Sequence, residues 1–164
     1  HEDAGVISSD YGIGSQVPLS DLLNDLIIYS DNDAGHILYE NLGGWKEYKE
    51  AMTKYTDSIS ENYYTMDNVT TANTMNDVVT YLYDHKEDYK GLIKNMEKAE
   101  PGEYLDRDTQ LSMPQKYGMY DYALNSVGFV ECNTSYSIVV LTSLGDKGAD
   151  VMANINRIAY EHFK

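Results

Sequence analysis

The stretch that decides the fold runs from Tyr29 to Gly44 and reads YSDNDAGHILYENLGG. It joins two amphipathic segments, one that ends near Tyr29 and one that begins near Asp33. At this junction Ser30 and Asn32 place a hydroxyl and a carboxamide two residues apart. Short polar side chains of this kind favour caps and turns because they hydrogen-bond to nearby backbone. The stretch therefore predicts a helix-to-helix turn, which either acts only as a cap or directs two polar groups into a cleft.

Apolar spacing predicts a helical region on both sides of this turn, over residues 17–110. In the helix before the turn, the side chains expected to face the interior are Leu19, Leu22, Leu23, Leu26 and Ile27. The helix after the turn should run from Asp33 to about Leu42, where two glycines end it. Further helices are predicted over residues 45–55, after Thr70 or Thr71, and over residues 87–98. Residues 1–16 are rich in Gly, Ser and Asp and predict a loop-rich entry.

The composition becomes strand-like in the last part of the chain, residues 111–164. Strands are predicted over Leu111–Met119, Leu124–Glu131 and Tyr136–Ser143, the last two joined by a short turn consistent with a hairpin. A final helix is expected over Asp146–Phe163, and the side chains expected to face inward are Val151, Ile155, Ile158 and Ala159. Helices followed by an antiparallel sheet indicate an α+β fold, and 164 residues fit a single domain over residues 1–164.

The charge of the chain excludes two classes of partner. Its formal net charge is -15 and only 12 residues are Lys or Arg, which argues against nucleic acid or an anionic membrane surface. No apolar run is long enough to span a bilayer. The single cysteine, Cys132, excludes an internal disulfide. Because the chain starts with His1 and not with Met, we expect a processed product or a piece of a longer protein.

Three motifs together resemble the class A β-lactamase and penicillin-binding serine hydrolase superfamily. Ser30-Asp31-Asn32 resembles the S-D-N motif, and the segment from Pro114 to Gly118 with the two strands after it resembles the K-T-G strand and its neighbours. Thr70-Thr71-Ala72 resembles the start of the helix that follows the Ω-loop of that family. The resemblance implies a β-lactamase/transpeptidase-like fold that lacks the N-terminal strands of the family sheet. It also implies an exported protein of the bacterial cell envelope.

The resemblance gives five residues their expected roles. By position, the Ser30 hydroxyl would pass a proton to the departing nitrogen, and Asn32 would hold the side-chain amide of the substrate. Lys116 would attract the substrate carboxylate, and Gly118 would let the backbone approach the ligand closely. Tyr117 stands where the family has Thr or Ser, so we expect its ring to fill the cleft instead. The implied substrates are β-lactams or peptidoglycan-type D-Ala-D-Ala amides.

One part of the expected chemistry does not occur in the sequence. The family acylates the serine of an S-x-x-K motif, and no Ser or Thr here has a Lys three places on. The segment Glu61-Asn62-Tyr63-Tyr64-Thr65 is the nearest match to the motif of the deacylating glutamate but lacks its Leu-Asn. We therefore expect a portion of a serine hydrolase that is inactive by itself. No metal or cofactor is expected, since His36 and Glu40 alone are too few to hold an ion.

The strand over residues 136–143 poses a physical problem, because apolar β-branched edges are rarely left uncovered. Three hypotheses follow for what covers it. An N-terminal segment of the same protein supplies the missing strands; the chain is complete and is a non-catalytic binding or interaction module of the cell envelope; or a second copy covers the edge in a strand-exchanged dimer.

Overall fold

The computed structural model describes residues 5–164 of the chain. Its elements, in chain order, are α1 (Val6–Asp10), α2 (Leu19–Tyr29), α3 (Asn32–Asn41), α4 (Trp45–Met52), α5 (Ala72–Asp84), α6 (Lys90–Met96), β1 (Gln115–Tyr120), β2 (Ala123–Val130), β3 (Tyr136–Thr142) and α7 (Lys147–Phe163). A 3₁₀ turn over Glu61–Tyr64 interrupts the connection between α4 and α5. The three predicted strands are confirmed, although β1 begins four residues later than expected.

The entry segment is more ordered than its composition predicts. Residues 6–10 form the short helix α1, and Ile7 is buried in a small cluster with Leu22 of α2 and Ala34 of α3. The predicted loop-rich entry therefore contains one short helix, because one apolar side chain can anchor a helical turn that is too short to show periodicity. Residues 1–4 of the same predicted segment lie outside the described residues.

Helix α2 buries a narrower face than its apolar stripe predicts. Leu22 is buried, but Leu19 and Leu23, both expected inside, are exposed. Asp25, which the apolar stripe omitted, is buried instead. The reason is geometric, since α2 packs mainly against α3 and α6 and the face that meets them is centred on residues 22 and 25.

The sheet has the order β1-β2-β3 and is antiparallel throughout. A two-residue turn at Asp121 and Tyr122 joins β1 to β2, and Asp121 has a positive φ of 53°. The register pairs Lys116 with Val127. Within the described residues β3 pairs with β2 alone, so one edge of β3 carries no strand.

Helices cover the two faces of this sheet. Helix α7 lies on one face, where Leu124, Ile138 and Met152 belong to the larger apolar core. Helix α5 lies on the other face, where the Tyr83 ring meets Phe129 at a centroid distance of 5.3 Å. Because side chains alternate along a strand, neighbouring residues of β1 point toward opposite layers.

Helix α7 uses a different face from the one its apolar pattern predicts. Val151, Ile155 and Ile158 were expected inside and are exposed, with 55% of Ile158 accessible. The buried residues of this helix are Gly148, Met152, Ala153 and Asn156. Small residues allow a close approach to the sheet: a Cβ on Gly148 would lie 2.5 Å from Thr142 Oγ1. None of the helices within residues 5–164 combines the length and the apolarity that crossing a membrane requires.

Candidate functional site

The turn between α2 and α3 places the Ser30 side chain at the boundary between the helical region and the sheet. Ser30 ends α2 in the left-handed conformation, with φ 55° and ψ 36°. Such a backbone is uncommon for a residue other than glycine and often marks a functional position. Asn32 then begins α3 and is exposed.

Asp31 stabilises this turn from the protein interior. Its side chain is 4% exposed and caps α3 by accepting a hydrogen bond from the Ala34 N–H at 2.9 Å. The other carboxylate oxygen accepts the Ile7 N–H at 3.0 Å. The same carboxylate therefore holds both the start of α3 and helix α1, which leaves Ser30 on a braced segment of backbone.

Lys116 approaches the turn from the edge strand β1. Its Nζ donates a hydrogen bond to Ser30 Oγ, which joins two residues 86 positions apart in the chain. The sheet and the helical region thus meet at this contact. The structure brings together two of the predicted site residues, and Asn32 lies two positions along the same turn.

Burial changes the ionisation of Lys116. Desolvation lowers the pKa of this ammonium to about 8, and the charge of Glu100 acts in the opposite direction. The ammonium also lies 4.5 Å from the centroid of the Tyr117 ring, where a cation–π contact favours its charged form. A lysine with this pKa exchanges protons near neutral pH more readily than an exposed one.

The other two predicted residues of β1 differ in what surrounds them. Tyr117 is half-buried, and its ring stacks on the ring of Tyr104 at a centroid distance of 4.6 Å and an interplanar angle of 22°. Gly118 is exposed, and a Cβ built on it would meet nothing within 4 Å. The strand edge at Gly118 is therefore open to a ligand, whereas the Tyr117 ring packs beside the ammonium.

A buried polar network behind β1 was not found from the sequence. Gln115 is 1% exposed; its Oε1 accepts the Leu105 N–H at 3.0 Å, and its Nε2 donates to Asp106 Oδ1 at 2.8 Å. Asn156 of α7 donates to the Leu105 carbonyl at 2.8 Å. The network fixes the segment around Tyr104 against the strand that carries Lys116. Polar side chains in a loop and in a helix carry no periodic signal that predicts this burial.

The connection between α4 and α5 is held by polar contacts. Lys49 of α4 is buried; it donates to the Asp67 carbonyl at 3.0 Å and lies 4.5 Å from the centroid of the Tyr63 ring. Burial lowers the pKa of Lys49. At the other end, Thr56 donates to Asp77 Oδ2 at 2.7 Å. Glu61, the nearest match to the deacylating glutamate, is exposed at the start of the 3₁₀ turn.

Other candidate sites in the described part of the chain are weaker. Residues 5–164 contain no group of three His, Cys, Asp or Glu side chains able to hold a metal ion. A cavity of about 450 Å³ lies between the α5–α6 connection, the approach to β1 and the end of β2. Apolar side chains such as Met113 and Phe129 form part of its wall, but neither Ser30 nor Lys116 lines it.

Comparison with known proteins identifies relatives of this chain. A model of the beta-lactamase enzyme family matches residues 1–163, and no curated protein matches in sequence. A mutant of PBP-A, solved as an acyl-enzyme complex with penicillin G, superimposes with a TM-score of 0.78 at 15% identity, covering 98% of this chain and 67% of that one. A variant of the last common ancestor of Gram-negative bacteria class A beta-lactamase superimposes with a TM-score of 0.78 at 19% identity, covering 99% of this chain and 71% of that one.

A third similar structure is the chromosome-encoded beta-lactamase of Vibrio parahaemolyticus, with a TM-score of 0.75 at 16% identity, covering 97% of this chain and 69% of that one. At these identities the likeness concerns the fold. The α+β fold of class A beta-lactamase type predicted from the motifs is confirmed, and the chain spans about two thirds of the length of these structures.

Proposed function

The chain belongs to the beta-lactamase enzyme family, and we propose that it forms the part of a serine hydrolase that binds β-lactams or D-Ala-D-Ala-type amides for acyl-enzyme chemistry. Ser30 passes a proton to the departing nitrogen, and Lys116 attracts the carboxylate of the ligand. Asn32 and the open strand edge at Gly118 bind its amide groups. The protein acts in the bacterial cell envelope.

The observation that carries this proposal is the hydrogen bond from Lys116 Nζ to Ser30 Oγ. A hydroxyl that contacts a desolvated amine can give up and regain a proton without a bulk water, which is what protonation of a leaving nitrogen requires. The acyl-enzyme complex of PBP-A with penicillin G, a structure of the same fold, supports this ligand class.

The nucleophile is a separate part of the proposal. The 164 residues contain no Ser-x-x-Lys motif, and we propose that another segment of the same protein supplies it. The isolated chain then binds a β-lactam without being acylated. Its Ser30 and Lys116 act on a substrate only when that segment is in place.

Penicillin G binding to the 164-residue chain tests the proposal. We expect binding in ligand-observed NMR, weakened at least about tenfold in Lys116→Met because an ionic hydrogen bond to the carboxylate is lost. Lys94→Met, a change at an exposed lysine on α6, is the matched control and should bind like the wild type. Intact mass after incubation should be unchanged. Absence of binding would refute the ligand class, and a covalent adduct would refute the external nucleophile.

A second role, as a module that associates with further strands, is supported by one face of the molecule. The outer edge of β3 carries no strand within residues 5–164, and the outer stripe of the neighbouring α7 exposes Val151, Ile155 and Ile158. Apolar edges and stripes of this kind favour association. The occupant we favour is the segment that bears the nucleophile; the alternative is a second copy of the chain.

Light scattering distinguishes these two occupants. If the nucleophile-bearing segment covers the face, the chain alone should be a monomer or associate weakly, and Ile155→Lys should abolish such association. Lys147→Ala, on the same helix, is the control. A stable dimer that Ile155→Lys abolishes would indicate a second copy, and one that survives Ile155→Lys would contradict this use of the face.

A further inference from the structure

We propose that Tyr104 is a positioning residue that holds the Lys116 ammonium against Ser30 by way of the Tyr117 ring. The inference concerns the site of the proposed function and extends it to a residue outside the three motifs. Tyr104 lies in the segment between α6 and β1 and has no expected role in the sequence resemblance. Its contacts place it one ring away from the amine.

Tyr104 lies on a segment that is anchored by hydrogen bonds to buried side chains. The next residue, Leu105, is fully buried, and both its backbone groups are bonded to buried side chains: the N–H to Gln115 and the carbonyl to Asn156. Asp106 accepts hydrogen bonds from the Gly102 N–H at 3.0 Å and from Gln115. The Tyr104 ring is therefore carried by a segment that three buried polar side chains hold in place.

The Tyr104 ring is in direct contact with the ring of Tyr117. Tyr104 and Tyr117 stack at a centroid distance of 4.6 Å and are nearly parallel, and both pack against the larger apolar core. An isolated tyrosine on an edge strand could rotate about its side-chain bonds. Stacking on an anchored ring removes that freedom, so the orientation of Tyr117 depends on Tyr104.

The Tyr117 ring in turn contacts the Lys116 amine. The ammonium has three N–H donors. One is directed to Ser30 Oγ, and the Tyr117 ring lies 4.5 Å from Nζ. Of the described charged groups, the Glu100 carboxylate also acts on this amine. With Ser30 on one side and the aromatic face on another, the amine is partly shielded from water and its hydrogen bond is directed to the hydroxyl.

Competitive labelling with trace acetic anhydride, read by peptide mass spectrometry over a range of pH, measures the titration of Lys116 in the folded chain. In the wild type the midpoint should lie near 8. Tyr104→Ala should raise it by about one pH unit, because water that reaches the ammonium relieves more of its desolvation than the lost contact with the Tyr117 ring takes away. Tyr104→Phe should keep the wild-type midpoint, because stacking does not need the hydroxyl. Exposed Lys94 is the internal reference.

Controls separate positioning from general loss of structure. Tyr55→Ala removes a different ring contact, the edge contact with Tyr81 at 4.9 Å, and should leave the Lys116 midpoint unchanged. In the wild type, the Cε protons of Lys116 should show upfield NMR shifts from the Tyr117 ring current, a readout that requires no variant. If Tyr104→Ala does not fold, Tyr104→Leu replaces it, with the same rise expected.

Three results would overturn the inference: no ring-current shift, an unchanged midpoint in the folded Tyr104→Ala or Tyr104→Leu protein, or an equal rise in Tyr104→Phe. None of these measurements requires catalysis. An unshifted midpoint with penicillin binding intact would therefore overturn the role of Tyr104 alone, whereas loss of penicillin binding by the wild type would overturn the proposed function.

Discussion

Removing the Asp31 carboxylate should destabilise the helices around the α2–α3 turn, because this side chain accepts hydrogen bonds from both α1 and α3. In Asp31→Ala the Ala34 N–H loses its cap, which typically costs about 1 kcal/mol. The buried Ile7 N–H loses an ionised acceptor at 3.0 Å, a loss of about 2 kcal/mol. The sum, about 3 kcal/mol of unfolding free energy, is an upper value, because removing Asp31 also relieves its repulsion of Asp25, whose pKa is raised first by burial and then by the charge of Asp31.

Asp31→Asn provides a graded comparison. The carboxamide oxygen can still cap α3, but its NH₂ group then faces the Ile7 N–H, so about 2 kcal/mol should be lost. Urea denaturation followed by circular dichroism at pH 7 measures both variants. Asp88→Ala, at an exposed acid between α5 and α6, is the matched control and should change the unfolding free energy by less than about 0.5 kcal/mol.

Hydrogen exchange supplies the second readout for Asp31. Amide protection should fall at Ile7 and Ala34 in Asp31→Ala, and at Ile7 alone in Asp31→Asn. A loss below about 1 kcal/mol in Asp31→Ala would mean that the two hydrogen bonds do not hold α1 and α3. Unchanged protection at Ile7 would refute the joining role directly.

Three further predictions concern other parts of the fold. Burial holds the pKa of Lys116 at about 8 instead of 10.5. The destabilising effect of its charged form on the folded state is therefore fully present below pH 8 and is relieved as the pH rises toward 10.5. In urea denaturation, the wild type should gain stability relative to Lys116→Met between pH 8 and 10. Hydrogen bonds from Ser58 and Thr56 lower the pKa of Asp77, so the contribution of its carboxylate to stability is lost as the pH falls through the lowered pKa. Asp77→Asn should speed amide exchange over residues 53–60 at pH 7. Gly148→Ala should cost about 2 kcal/mol of unfolding free energy by overpacking α7 on the sheet, and a neutral result in urea denaturation would contradict the close approach.

The sequence predicts local structure well where polar turns separate apolar segments. The α2–α3 junction could be located because its short polar residues favour caps, and the strands because their β-branched residues and turns alternate. The meeting of Ser30 and Lys116 has a different origin. The two residues are 86 positions apart, and no periodicity links them, so only the motif resemblance suggested a common cleft.

Helix α7 shows why apolar periodicity alone fails. The helix carries two faces that could pack, one with Val151 and Ile155, the other with Gly148, Met152 and Asn156. The face with Gly148 is buried because its small side chains permit close contact with β2. Asn156 on the same face also hydrogen-bonds with the Leu105 carbonyl and the Tyr136 hydroxyl. Partners of this kind are supplied by distant parts of the chain, which a local pattern cannot reveal.

The turn at Asp121 and Tyr122 affects the site although it lies at the far end of the β1–β2 hairpin. A hairpin turn determines which residues face each other along both strands, and a slip by one position exchanges the two faces of a strand. Such a slip would point Tyr117 toward Ser30 and turn Lys116 away from it. The positive φ of Asp121 therefore contributes to the placement of the amine, and an insertion at this distant corner that shifts the register by one position would dismantle the site without touching any of its side chains.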